Sequence, residues 1–227
     1  MLETSYLTRV YLSITMDDLM RKQRAVIVSK KLEILLPDAK CSLIYSNPLQ
    51  LLIATILSAQ CTDRIVNKVT EKVFKKYKNI GDYLNAEQKE FEADIKSTGL
   101  YRAKARNILA SARIIKEKYN DAVPKTMNEL LTLSGVARKT ANIVMGNAYG
   151  IIDGIAVDTH VRRLSQKFGL TTNNNPVKIE QDLMKLIPKN DWLNFSHRMI
   201  EYGRVYSPAN KKNDNSDPIS KALGRLN

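Results

Sequence analysis

The sequence is poor in the residues that build covalent or metal frameworks. It holds 2 cysteines in 227 residues, Cys41 and Cys61. Two thiols cannot by themselves complete a tetrahedral zinc site or hold an iron–sulfur cluster, and they suit a reducing cytoplasm better than a disulfide scaffold. Glycine (9) and proline (7) are scarce as well, at about half their usual share. Few breakers favour helices and argue against a fold of many short strands. Long apolar runs are missing too. The longest uncharged stretch, 41–62, is interrupted by Asn47, Pro48, Gln50, Ser58 and Gln60, and its apolar centre is too short to span a bilayer. No basic segment followed by an apolar block opens the chain, so no secretory signal is expected. No heptads appear, so a monomer with no membrane contact is expected. Acidic residues are outnumbered: 36 Lys and Arg against 23 Asp and Glu give a net charge of +13. A compact basic protein suggests a polyanionic partner.

What is present is helical periodicity. Residues 1–17 are weakly patterned. Charges alternate with Leu, Val and Ile from Asp17 to Leu36, and Pro37 stops the run. Asn47 and Pro48 open a second helix whose body, LQLLIATILSA, is apolar nearly all round, the mark of a central helix. Asp63 is placed to cap a helix through Tyr77, and periodicity continues over 86–97 and from Ala103 to Tyr119. Thr126 and Glu129 have capping-box spacing before a short helix that stops at Ser134 and Gly135. Further helices are predicted from Arg138 to Ala148, from His160 to Phe168 under an Asp158 cap, from Pro176 to near Pro188, and from Trp192 to Tyr202 between an Asp191 cap and Gly203. Trp192, Phe195 and Tyr202 at helical spacing read as core, and His197 as structural. The tail from 204 is polar. No strand alternation is sustained, so the fold expected is all-α, with about ten helices.

The chemistry-bearing segment is LSGVARKTA, from Leu133 to Ala141. A short helix, a tight turn around Gly135 and a second helix make a helix-hairpin-helix. Its turn offers backbone N–H groups at a helix N-terminus, which bind phosphate without reading sequence. Gly135 and Ala137 are small enough for a DNA backbone to approach. A plain helical corner would look the same in isolation. Between Lys96 and Lys118 stand seven basic residues and one acid, Glu117. Lys104, Arg106, Arg113 and Lys116 are candidates for a phosphate-tracking face, with a merely solvated face as the alternative.

LSGVARKTANIV followed by IAVDTHVRRL resembles the endonuclease III family of helix-hairpin-helix DNA glycosylases. LLIATILSAQCTDRIVNK and STGLYRAKARNI match that family's other segments in the same order, so the likeness runs from about Ser46 to Gly203. It implies a bifunctional glycosylase and abasic-site lyase that removes damaged, oxidised pyrimidines from double-stranded DNA. In that reading Lys139 is the nucleophile. A protonated lysine cannot attack, but the first turn of a helix disfavours positive charge and Arg138 adds repulsion. A phosphate-contacting lysine is the plainer alternative. Asp158 is the carboxylate expected to face Lys139 and take its proton, and it serves as a helix cap in any case. Gln60 would fill the hole left by an extruded base, and Leu100 would wedge the opposite strand, with a core leucine as the other reading. Gly135, Ala137, Arg138, Thr140, Lys104 and His160 complete the expected DNA-binding set; a structural role for His160 is equally open.

The resemblance also implies two helical lobes with DNA in the cleft between them. One is expected at 41–152, carrying the hairpin at 126–148, and a discontinuous second at 1–40 plus 153–227. Relatives hold an iron–sulfur cluster on cysteines after the last helix; here Ser207, Asp214, Asp217 and Leu223 stand at the aligned places. None of these replaces a thiolate, so no cofactor or metal is expected. Apolar packing by Val205, Ile219 and Leu223 would hold a loose tail, with Lys211, Lys212 and Lys221 left for phosphates. Ala137 replaces a frequent glycine, which matters only if that residue needs positive φ. Two other functions fit parts of the pattern. A monofunctional mismatch glycosylase would lack Lys139, and a non-catalytic hairpin DNA binder would not need the Lys139 and Asp158 pair. The expected location is the cytoplasm, at the nucleoid in a prokaryote.

Overall fold

In the computed structural model, residues 16–226 are described, so the weak pattern of the first fifteen positions lies outside them. Every regular element among these residues is a helix. In order they are α1 (Met16–Leu35), α2 (Pro48–Leu57), α3 (Asp63–Lys76), α4 (Ile80–Leu84), α5 (Gln88–Asp94), α6 (Tyr101–Tyr119), α7 (Met127–Leu130), α8 (Arg138–Tyr149), α9 (Thr159–Lys167), α10 (Pro176–Leu186), α11 (Trp192–Val205) and α12 (Pro218–Leu223). The all-α prediction holds. No described helix is long and apolar enough to cross a membrane. The chain divides into two compact units, residues 40–156 and residues 16–39 with 157–226.

The first unit is built around α2. Asn47 caps it, accepting from Gln50 N, and Pro48 follows at its first position. All seven residues from Leu51 to Leu57 are buried, so α2 serves as the axis that its apolar sequence predicts. It packs against α8, α3 and α6. Tyr77, Tyr83 and Phe91 form an aromatic knot, with rings stacked at 5.2 Å or meeting edge to face. Tyr83 belongs to α4, a one-turn helix too short to show periodicity; Asn79 caps it with a full capping box. Asp63 is the first residue of α3 and does not cap it; Thr62 holds that place without a side-chain bond.

In the second unit α1 packs on α10, α11 and α12, and α9 on α11. Trp192, Phe195 and Tyr202 are core, as the spacing predicts. Asp191 makes no side-chain cap; its carboxylate turns away to Arg198, 3.0 Å off. Gly203 does not end α11, which runs on to Val205. A β-carbon there would come within 2.5 Å of His160 Nδ1, so glycine is needed for helix-to-helix approach and not as a stop. Val205 is 58% exposed and takes no part in the packing expected of it, whereas Ile219 and Leu223 are buried. The described C-terminal segment carries a regular helix, α12, capped by Asp217, which accepts from Ser220 N.

Candidate functional site

The helix-hairpin-helix forms as α7, a turn and α8. Thr126 accepts from Glu129 N and donates to the Glu129 carboxylate at 2.7 Å, a variant of the expected capping box. Gly135 sits in the turn with φ 76°. From α6, Ser111 Oγ donates to Ser134 O at 2.9 Å, and Asn107 lies so close that a β-carbon on Gly135 would meet its Nδ2 at 2.7 Å. Both the backbone and the space therefore require glycine. Gly135→Ala is expected to cost about 1–3 kcal/mol from the left-handed strain and the collision together, and to weaken binding of undamaged duplex. Thermal melting and a salt-dependent binding isotherm check this; unchanged values for both would refute it.

Ala137 is the N-cap of α8 with φ −107°, ordinary extended backbone, so alanine carries no strain there. It supplies no side-chain bond to the helix, which leaves the first-turn N–H groups uncapped and turned toward whatever approaches. Arg138 and Lys139 follow, both half-buried, and Lys139 has no side-chain partner among the described residues. Thr140 is buried and offers little surface to DNA beyond its backbone. Asp158 caps α9: its Oδ1 accepts from Val161 N at 2.8 Å, which leaves its other oxygen clear of that bond. His160 presses its Nδ1 edge against Gly203 without a hydrogen bond, so at least half of the ring is structural.

Gln60 and Leu100 share an unusual backbone. Both are non-glycine residues with positive φ, 53° and 49°, a conformation that L-residues rarely keep without cause. Both are exposed, Leu100 at 56%. The core reading of Leu100 thus fails, and a large apolar side chain is held out into solvent. Lys104 corrects the sequence reading in the opposite direction. It is 3% exposed and donates to Leu57 O and Thr98 O, each at 2.7 Å, so it cannot track phosphates. Burial pushes its ammonium down from the ordinary lysine value. Of the proposed basic face, Arg106 and Arg113 remain exposed, while Lys116 pairs with Asp121 at 2.8 Å.

Ser207, Asp214 and Asp217, three of the four positions that the resemblance sets against cluster cysteines, gather around Lys167. Lys167 Nζ donates to Asp217 Oδ2 (2.8 Å), Ser207 Oγ (3.0 Å) and Asp214 O (2.6 Å). Asp217 accepts in addition from the Tyr202 hydroxyl, Ser220 N and Ser220 Oγ. Leu223 is buried and apolar. A cationic centre with hydroxyl, carboxylate and methyl neighbours does not fit an iron–sulfur cluster, which needs thiolates. No group of three or more His, Cys, Asp or Glu side chains among the described residues is placed to share a metal ion. Sequence reasoning missed this centre because Lys167 and Asp217 lie 50 residues apart.

A hairpin with an uncapped helix end, a lysine beside it and exposed side chains on strained turns suit a protein that handles nucleic acid. The sequence pattern of the HhH-GPD superfamily base excision DNA repair proteins matches residues 53–189. Endonuclease III of Synechocystis is 52% identical over 191 residues, 84% of this chain and 87% of that protein. A solved non-covalent endonuclease III–DNA complex is 43% identical with a TM-score of 0.84, covering 90% of this chain and 98% of that one. A trapped endonuclease III–DNA covalent intermediate agrees equally well, at 43% identity and a TM-score of 0.84, covering 91% and 99%. The chain belongs to the endonuclease III family within that superfamily.

Proposed function

We infer that this protein is a base-excision repair enzyme, a DNA glycosylase and abasic-site lyase acting on double-stranded DNA. The observation that carries the reading is Lys139, unpaired among the described residues and in the first turn of α8, directly after the Gly135 turn. A phosphate held on that turn brings the adjoining sugar toward the amine. The likeness to a trapped endonuclease III–DNA covalent intermediate supports a covalent route.

The chemistry follows from the residues. The nitrogen lone pair of Lys139 attacks C1′ of the damaged nucleotide, and the base leaves with the electrons of the glycosidic bond. The resulting Schiff base acidifies the 2′ proton, and β-elimination breaks the bond to the 3′ phosphate. The attacking amine gives up its proton to a carboxylate that also stabilises the positive charge building on the sugar, the role that the family resemblance gives to Asp158. Gln60 and Leu100 hold the duplex open around the extruded base. The substrate proposed is an oxidised pyrimidine, and a preformed abasic site is nicked as well. The protein works without an iron–sulfur cluster, its C-terminal segment being organised by Lys167 and Asp217. The location proposed is the cytoplasm, at the nucleoid if the source is a prokaryote.

Incubation of the purified, metal-free protein with abasic duplex and with a panel of damaged duplexes tests this. Strand nicking on the 3′ side of the abasic site and release of oxidised pyrimidines are expected. Intact abasic DNA would refute the enzymatic reading and leave a hairpin protein that only binds.

A further inference from the structure

Lys104 is a charged side chain that the chemistry above does not use and that the fold has buried. Its two acceptors have distinct positions in the chain. Leu57 is the last residue of α2, and its carbonyl is one of those a helix leaves without an internal partner, at the negative end of the dipole. Thr98 ends the 3-10 turn Lys96–Thr98. Three residues past Leu57 the chain reaches Gln60, and two past Thr98 it reaches Leu100. Each of those residues is exposed and in the left-handed region. Such conformations persist only where the surroundings over-determine them, and a single ammonium is bonded to the base of both turns. One and two turns further along α6, Asn107 lies against the hairpin turn and Ser111 bonds it, so this helix touches all three loops.

We propose that Lys104 is a positioning residue that locks Gln60 and Leu100 in register, so that filler and wedge enter the duplex as one unit. This rests on the roles assigned above to those two side chains. Without the ammonium, two buried carbonyls lose their donor and the turns move independently. Lys139 and its chemistry are untouched.

The test uses the full-length protein and a duplex with an abasic site facing 2-aminopurine, whose fluorescence reports disturbance of the orphaned base. Lys104→Met keeps the stem and removes the donors. Lys104→Gln keeps one NH2 group and carries the test if circular dichroism shows that the methionine variant does not fold. Single-turnover nicking and the fluorescence step are both expected to slow about tenfold or more, within the range that small misplacements produce. Nicking of an abasic site that faces an abasic spacer, with no orphaned base to hold, is expected to stay within about twofold. Lys104→Arg, which retains charge and donors, is expected to recover part of the loss. Equal slowing on both substrates would overturn the proposal by marking Lys104 as needed for folding alone. Leu100→Ala run in parallel separates the two layers: a slow Leu100→Ala beside a normal Lys104→Met overturns the coupling alone, and a normal Leu100→Ala overturns the coupling and the wedge together.

Discussion

Lys139→Gln is expected to remove strand nicking and every adduct that borohydride traps on abasic duplex. Glutamine matches most of the side chain's length, but its amide nitrogen has no lone pair free to attack carbon. Lys139 has no side-chain partner among the described residues, so its loss orphans no buried group, and the second position of α8 tolerates the change. The fold and melting temperature should therefore hold. Nicking should fall on the order of a thousandfold or more, the scale lost when a nucleophile working within a catalytic unit is removed. Duplex binding should change little, because at most one phosphate contact is lost. A trapped adduct in the Lys139→Gln protein would move the nucleophile elsewhere and sink the mechanism.

The second large effect concerns stability. Lys167→Met strips the cation from a buried pair whose side chains are 9% and 3% exposed. Removing one partner of such a pair leaves an uncompensated charge and costs about 3–5 kcal/mol. At about 2–4 °C per kcal/mol for a chain of this size, melting should fall by roughly 10 °C. Exchanging both residues at once, Lys167→Met with Asp217→Leu, should cost less than Lys167→Met alone, since apolar replacements of buried pairs are often tolerated. Recovery will be incomplete because Asp217 also caps α12 and takes the Tyr202 hydroxyl. The centre also has a pH signature. Burial alone would raise the Asp217 carboxyl, but the bonds from Lys167, Tyr202 and Ser220 outweigh it and hold the group below its ordinary value. A depressed carboxylate contributes stability that is complete above its unfolded value, about 3.9, and lost as pH falls through the folded value. Wild type should therefore lose stability below about pH 4 more steeply than Asp217→Asn, with little difference between their slopes at neutral pH. Thermal melts across that range decide it, and a melting point unmoved by Lys167→Met would show that the pair organises nothing.

Much of this could be read from local patterns. Helix starts written in short-range chemistry were visible: Asn47 with Pro48, Thr126 with Glu129, Asp158 before Thr159, Asn175 with Pro176. The hairpin and its lysine were visible for the same reason, since the turn and the first turn of α8 adjoin in sequence. The misses are long-range. Lys104 sits in a basic stretch and resembles a phosphate ligand until Leu57 O, 47 residues away, is brought to it. Asp191 has the position of a cap but finds Arg198 a better partner. The polar tail looked loose because the lysine that organises it lies in α9. Backbone strain was also invisible: glutamine and leucine are not turn formers, and nothing in their neighbourhoods announced positive φ at Gln60 or Leu100.

The Lys167–Asp217 centre has a consequence for the conditions under which the enzyme works. Ammonium, carboxylate and hydroxyl groups exchange no electrons. The groups that join α9 to α12 all belong to the polypeptide itself. Oxidants that would attack a thiolate leave an ammonium–carboxylate pair chemically unchanged, so this joint between α9 and α12 keeps its hold in their presence.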